Sequence, residues 1–243
     1  MRPALLIFWM LSVFAIALGL ALATLGIAGA GETGTNLALA VTARFSFLLF
    51  WLAYAGGPLA SLFGQAFLPL KQHGRECGLA FASAQQVHIG LVVWLCYLGA
   101  VPSTHTFVIF GTALFFLYLI TFFSFNLARR TLHPAAQRII FSAGLNYIAF
   151  AFAFDFLRVS PQGGLRHILF YLPFSFLSVA GPLLRLAVFF RRPRRAAEGT
   201  ETRPKTAPRQ QRARSRQSVS ILGSGQLRPD RADQPVDEYP HTR

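Results

Sequence analysis

The sequence predicts an all-α integral membrane protein: a six-transmembrane-helix bundle followed by a disordered basic C-terminal tail. Three observations predict it. Apolar stretches of about 20 residues, the length a helix needs to cross a bilayer, recur six times, at 4–28, 37–59, 78–99, 104–126, 138–157 and 167–190. Only 13% of the 243 residues are charged, against about 25% in an ordinary soluble domain. The charge is also unevenly placed, with 10 basic and 3 acidic residues in 1–190 and 13 basic and 6 acidic in 191–243. Together these exclude a soluble enzyme, a secreted disulfide scaffold and a wholly disordered chain. The expected division is a membrane domain over 1–190 and a cytoplasmic tail over 191–243.

Each span is expected to be helical, because backbone groups in lipid must be bonded within their own segment. Period-2 alternation, the mark of a membrane barrel, is missing. The first run is longer than the 7–15 residues typical of a signal peptide's apolar region, so it is read as a retained span. An even number of spans places both termini on one side of the membrane. With the N-terminus inside, the inner connections hold Lys71, Arg75, Arg129, Arg130 and Arg138, and the outer ones hold only Arg158 and Arg166. By the positive-inside rule both termini are expected to be cytoplasmic.

The tail opens Arg191-Arg192-Pro193-Arg194-Arg195 and continues rich in Arg, Gln, Pro and Ser. Too few apolar residues follow to bury a core. Its first arginines suit the anionic lipids of the inner leaflet. No aromatic stacking platform accompanies them, so nucleic acid is not an expected partner. Cys77 and Cys96 would lie roughly 28 Å apart on one helix and cannot bridge each other.

Of six histidines, only His88 falls deep within a span. An ionisable residue at that depth is costly and points to function. Two readings stand for it: a metal ligand or proton relay, and a neutral ring bonded to a neighbouring helix. Gln85, three residues earlier, shares its face and extends the polar patch. Arg44 lies in the outer half of the second span. It has three routes: snorkelling to the interface, pairing with an anion such as a cofactor carboxylate, or pairing with Asp155 on the same side. Arg185 is placed to reach the inner headgroups, and Arg75 and Glu76 read as a surface pair. His73, His105, His133 and His167 fall at or near span ends. No zinc-type Cys/His spacing, nucleophilic triad or P-loop occurs.

The third span, GRECGLAFASAQQVHIGLVVWL from Gly74 to Leu95, resembles the R-R-x-x-G-L-x-A-F-x-x-x-x-x-H-x-x-x-x-x-L pattern of bacterial ferric-reductase-like transmembrane domains. The second, TARFSFLLFWLAYAGGPLASLFG from Thr42 to Gly64, resembles that family's T-x-R-x-S/A-x-x-x-F-x-x-A-x-x-x-x-P-L stretch, and the sixth, from His167 to Leu186, is similar to its final helix. The resemblance covers about residues 35–190. It extends to relatives such as NADPH oxidase membrane domains and the haem-binding subunit of the periplasmic methionine-sulfoxide reductase system.

The resemblance implies transmembrane electron transfer through b-type haem in a bacterial inner membrane. His88 matches the family's third-helix iron ligand, with Arg44 as a propionate partner and Gln85 beside the site. The fifth span departs from the pattern W-R-x-L-H-x-x-G-x-Y-Y-I-W. In the frame Ser142–Ile148, Phe141 stands where a ligand histidine is expected. A second register starts at Leu132-His133 and makes His133 the substitute ligand. With one imidazole, the iron would be five-coordinate or water-ligated and open to small ligands. The chain has no flavin or nicotinamide domain, so electrons would pass through a separate redox partner or a quinone. The competing expectation is a haem-free relative that serves as a membrane scaffold or partner-binding subunit.

Overall fold

In a computed structural model of the chain, the described residues are 3–125, 133–158 and 164–201, as backbone only at 3, 164–170 and 192–201. They form helices α1 (Pro3–Ala28), α2 (Glu32–Phe63), α3 (Leu68–Gln72), α4 (Gly74–Tyr97), α5 (Thr104–Ser124), α6 (Pro134–Leu157) and α7 (Gly164–Glu201), with a single 3-10 turn at Gly64–Phe67. No strand occurs among them. Six helices are long and apolar enough to cross a membrane, so this is a multi-pass membrane protein. The chain divides into a compact unit over Met1–Arg194 and a second over Arg195–Arg243.

The ends follow local chemistry. Ser103 caps α5, its hydroxyl accepting from the Thr106 backbone N–H at 3.4 Å. Pro134 opens α6, where a missing N–H costs nothing, and His133 Nδ1 accepts from the Ala135 N–H at 3.3 Å. Gly64 stops α2 with a φ of 81°, a conformation that glycine adopts without a Cβ clash. One boundary differs from expectation. Backbone helix continues to Glu201, past residue 190, because the segment's Ala, Arg and Glu are good helix formers even though they cannot build a core. The remainder of the tail lies outside the described residues, as do Arg129 and Arg130.

Successive spans run antiparallel. Trp94 Nε1 donates to the Ala30 carbonyl at 3.1 Å, joining the end of α4 to the α1–α2 link. Arg75 Nη2 donates to the Ser124 carbonyl at 2.7 Å, joining the start of α4 to the end of α5. The sequence reading paired Arg75 with Glu76 instead. Glu76 is partnered by His73, 3.7 Å away. Ser175 Oγ donates to the Phe156 carbonyl at 2.8 Å, joining α7 to the end of α6.

Two packed clusters form the interior. Between α1, α2 and α4 the buried residues are mostly small, including Ala17, Ala21, Ala38, Ala80 and Ala84. Lipid is as apolar as a leucine, so membrane helices associate by close packing, and alanines four apart permit it. The second cluster is aromatic: Phe47, Phe50, Tyr54, Phe81, Phe152 and Phe156 join α2, α4 and α6, with Phe174 of α7 packed against them. Outward-facing Phe8, Phe122 and Phe176 are exposed, as a lipid-facing surface requires.

At Gly56 on α2, a Cβ would sit 2.9 Å from the Leu70 carbonyl oxygen of α3. That neighbour is backbone and cannot rotate away. Gly56→Ala is therefore expected to cost roughly 1–3 kcal/mol, the range for overpacking. It should lower the thermal midpoint of the detergent-purified protein. An unchanged midpoint would mean that α3 is not seated on α2.

Candidate functional site

The helices α2, α4, α5, α6 and α7 line a partly open cavity of about 560 Å³. Ligand sites commonly span roughly 300–1,000 Å³. The walls are largely apolar, with Phe81, Phe152 and Leu114 among them. The polar side chains on the cavity are Asn36, Gln85, His88, Thr106, Asp155 and Tyr171. Five separate helices thus contribute one polar group or more to a single space.

His88 is fixed by α2. Its Nδ1 lies 3.1 Å from Thr42 Oγ1. The Thr42 hydroxyl has one proton, and it is directed at backbone carbonyls, Ala38 at 2.9 Å and Leu39 at 3.2 Å. With the ring proton on Nδ1, Thr42 accepts from the imidazole and keeps its own proton on a carbonyl. In that tautomer Nε2 carries the lone pair, and the His88 ring lines the cavity. Metal-binding histidines are commonly held this way, with the second nitrogen bonded to an outer acceptor that sets tautomer and orientation. Thr42 is fully buried, so the arrangement is shielded from competing water.

Gln85 shares the cavity face one turn before His88. Its Oε1 is buried and has no hydrogen-bond partner. An unmet acceptor of this kind costs about 1–3 kcal/mol, which a bound molecule offering a donor would offset.

Arg44 faces the bundle. Its Nη1 donates to the Ala40 carbonyl at 3.3 Å, and its guanidinium stands 4.5 Å from the Tyr171 ring centroid and 5.7 Å from that of Phe174. Asp155, at the end of α6, is under the influence of Arg44 and Arg158. Arg44 does not snorkel outward: its guanidinium packs on rings of α7, and Asp155 lies within its electrostatic reach.

His133 does not join this group. It caps the start of α6, whereas the cavity is lined by Ile148, Ala151, Phe152 and Asp155 from the later turns. The rise from His133 to Ala151 is roughly 27 Å at 1.5 Å per residue. Phe141, in the family's ligand position, is also not on the cavity. No group of three or more His, Cys, Asp or Glu side chains that could hold a metal ion occurs among the described residues, and both cysteines are free. The side chain of His167 lies outside the described residues.

Arg185 does not extend toward headgroups as the sequence suggested. It turns back along α7, with Cζ 3.8 Å from the Tyr54 ring centroid and Nη1 donating to Asn146 Oδ1 at 3.3 Å. Tyr54 donates to the same Asn146 oxygen at 2.9 Å. Two residues that sequence reasoning did not single out are Thr42, which contacts His88, and Tyr171, which lines the cavity. A threonine in a span ordinarily bonds its own helix, and a tyrosine near a span end reads as an interfacial anchor.

No family model, curated protein or solved structure matches this chain.

Proposed function

We propose that this chain is a membrane electron-transfer protein of the ferric-reductase-like type, with His88 as the protein ligand to b-type haem. The observation that carries the reading is an imidazole on the wall of a cavity of ligand size, its Nδ1 3.1 Å from Thr42 Oγ1. The residues present suit such a group. The apolar walls suit a macrocycle, Nε2 is the basic nitrogen iron requires, and Arg44 is a cation close to the cavity for a propionate. When bound, haem would supply one-electron chemistry between ferric and ferrous states.

The chain's own residues have distinct parts in this reading. Thr42 holds the tautomer, and the ring is thereby aimed before any ligand arrives. Phe81 and Phe152 exclude water from the imidazole. Arg44 balances negative charge near α7. A separate redox protein or a quinone supplies and removes electrons. The family resemblance implies a bacterial inner membrane, and the distribution of basic residues agrees with both termini cytoplasmic. The first tail arginines, Arg191–Arg195, would then meet anionic lipid there.

The test is the visible spectrum of the detergent-purified full chain, expressed with ample haem, before and after dithionite. The expected result is a Soret band that shifts on reduction. A colourless protein would overturn the reading. It would favour the haem-free scaffold, which the placement of Phe141 and His133 away from the cavity supports.

A further inference from the structure

Arg185 and Asn146 form a polar site apart from the cavity, which neither residue lines. We propose that this site docks the transmembrane helix of a partner protein, one that carries a carboxylate near its midpoint. The inference is independent of the haem reading.

Three helices build the site. Gly181 on α7 stands so close to α2 that a Cβ there would lie 3.1 Å from the Tyr54 ring. That approach brings Arg185, one turn further along the same face, over the ring, with Cζ 3.8 Å from its centroid. Asn146 on α6 completes the group. Its Oδ1 accepts from Tyr54 at 2.9 Å and from Arg185 Nη1 at 3.3 Å. A guanidinium has five N–H donors, and this is its one hydrogen bond among the described residues. The amide oxygen that it shares with Tyr54 is neutral and leaves the cation unbalanced.

The site is deep and open to lipid. Asn146 lies near the middle of α6 (Pro134–Leu157), with about 17 Å of helix on either side at about 1.5 Å per residue. The hydrocarbon core of a bilayer is about 30 Å thick, so the bonded end of Arg185 is close to the midplane. Asn146 is exposed and Arg185 partly exposed. A charged residue at that depth is costly and ordinarily pairs with an opposite charge.

Charge selects the occupant. Residues 1–190 hold three carboxylates, Glu32, Glu76 and Asp155. Each stands in the first or last turn of its helix, and the remaining acidic residues follow the basic run Arg191–Arg195. Neither this chain nor a second copy therefore brings a spanning carboxylate to the middle of the bilayer. A lipid phosphate sits at the interface, roughly 15 Å from the midplane. A carboxylate on a spanning helix reaches the required depth. Ser142 and Ala143, about one turn before Asn146, are exposed, and their small side chains let a partner backbone approach α6 closely.

The test uses the full chain in phosphatidylcholine vesicles and a synthetic probe, a polyleucine transmembrane helix with Glu at its centre. The same helix with Gln or Leu at that position is compared, and energy transfer from labelled peptide to labelled protein reads association. The Glu helix is expected to bind wild type roughly tenfold more tightly than the Leu helix, the scale of polar contacts between membrane helices. Arg185→Gln should reduce it to the Leu level. Arg185→Lys keeps the charge and should keep a preference for Glu, which separates loss of the cation from loss of the fold. Equal binding of the Glu and Gln helices by wild type would overturn the proposal. So would a preference for Glu that survives Arg185→Gln, or a Lys variant as indifferent to Glu as the Gln variant. Vesicles that also contain phosphatidylglycerol test the lipid as occupant. A Glu preference that disappears there would mean that a lipid phosphate takes the arginine, and would overturn the helix assignment.

Discussion

His88→Ala is expected to remove the Soret absorbance of the purified protein to below detection. Among the described residues lining the cavity His88 is the only histidine, so truncation deletes the donor itself. Thr42→Val is expected to be intermediate. Valine matches threonine in shape but cannot accept from Nδ1, so the ring loses its orientation while the ligand survives. Loss of such an outer partner typically costs about 10-fold to 100-fold in affinity. The pair separates function from packing. If His88 were only an interhelical contact, Thr42→Val would lower stability by about 1 kcal/mol, in line with hydrogen bonds between membrane helices, and haem content would not change. Haem titration of both variants beside wild type decides the matter, and full colour in His88→Ala would end the ligand assignment.

The architecture was legible in the sequence because the bilayer imposes a length. Six runs of about 20 apolar residues correspond to the six long helices, from α1 at Pro3–Ala28 to α7. Polar residues at their edges marked most boundaries to within a few positions. His88 stood out because imidazole is costly at mid-span, and Gln85 followed from helical spacing. The rest of the site depends on contacts that no local pattern encodes. Thr42 and His88 meet across 46 positions of sequence, and a hydroxyl in a span has a ready acceptor on its own helix. Tyr171 joins the cavity only because α7 packs beside α2 and α6, with Trp51 Nε1 donating to the Leu177 carbonyl at 2.9 Å. The family register that offers His133 as a ligand conflicts with its local chemistry. A residue just before Pro134 is in a helix-capping position, and its imidazole performs that role.

The same packing makes Phe47→Ala the substitution expected to destabilise the bundle most. Phe47 is 1% exposed. Its ring centroid lies 4.9 Å from that of Phe156, 5.1 Å from Phe152 and 6.2 Å from Phe174, so one side chain ties α2 to α6 and α7. In water, truncating a buried phenylalanine costs about 3–5 kcal/mol. Part of that is transfer from water, a term that weakens when the alternative surroundings are lipid. What remains is lost dispersion, the cavity left behind and three aromatic contacts worth roughly 0.5–1.5 kcal/mol each. A loss of about 2–4 kcal/mol is therefore expected for Phe47→Ala in detergent, read as a lowered thermal midpoint. Phe47→Leu should cost less because it retains most of the volume. Phe150→Ala is the control: its ring is 54% exposed on the outward face of α6, and its removal should move the midpoint little. Equal midpoints for Phe47→Ala and Phe150→Ala would mean that the aromatic cluster does not hold these helices together. The outcome also bears on the cavity, because Phe152, the ring in contact with Phe47, forms part of the wall facing His88. Loosening that contact should therefore weaken haem retention in Phe47→Ala even though Phe47 does not line the cavity.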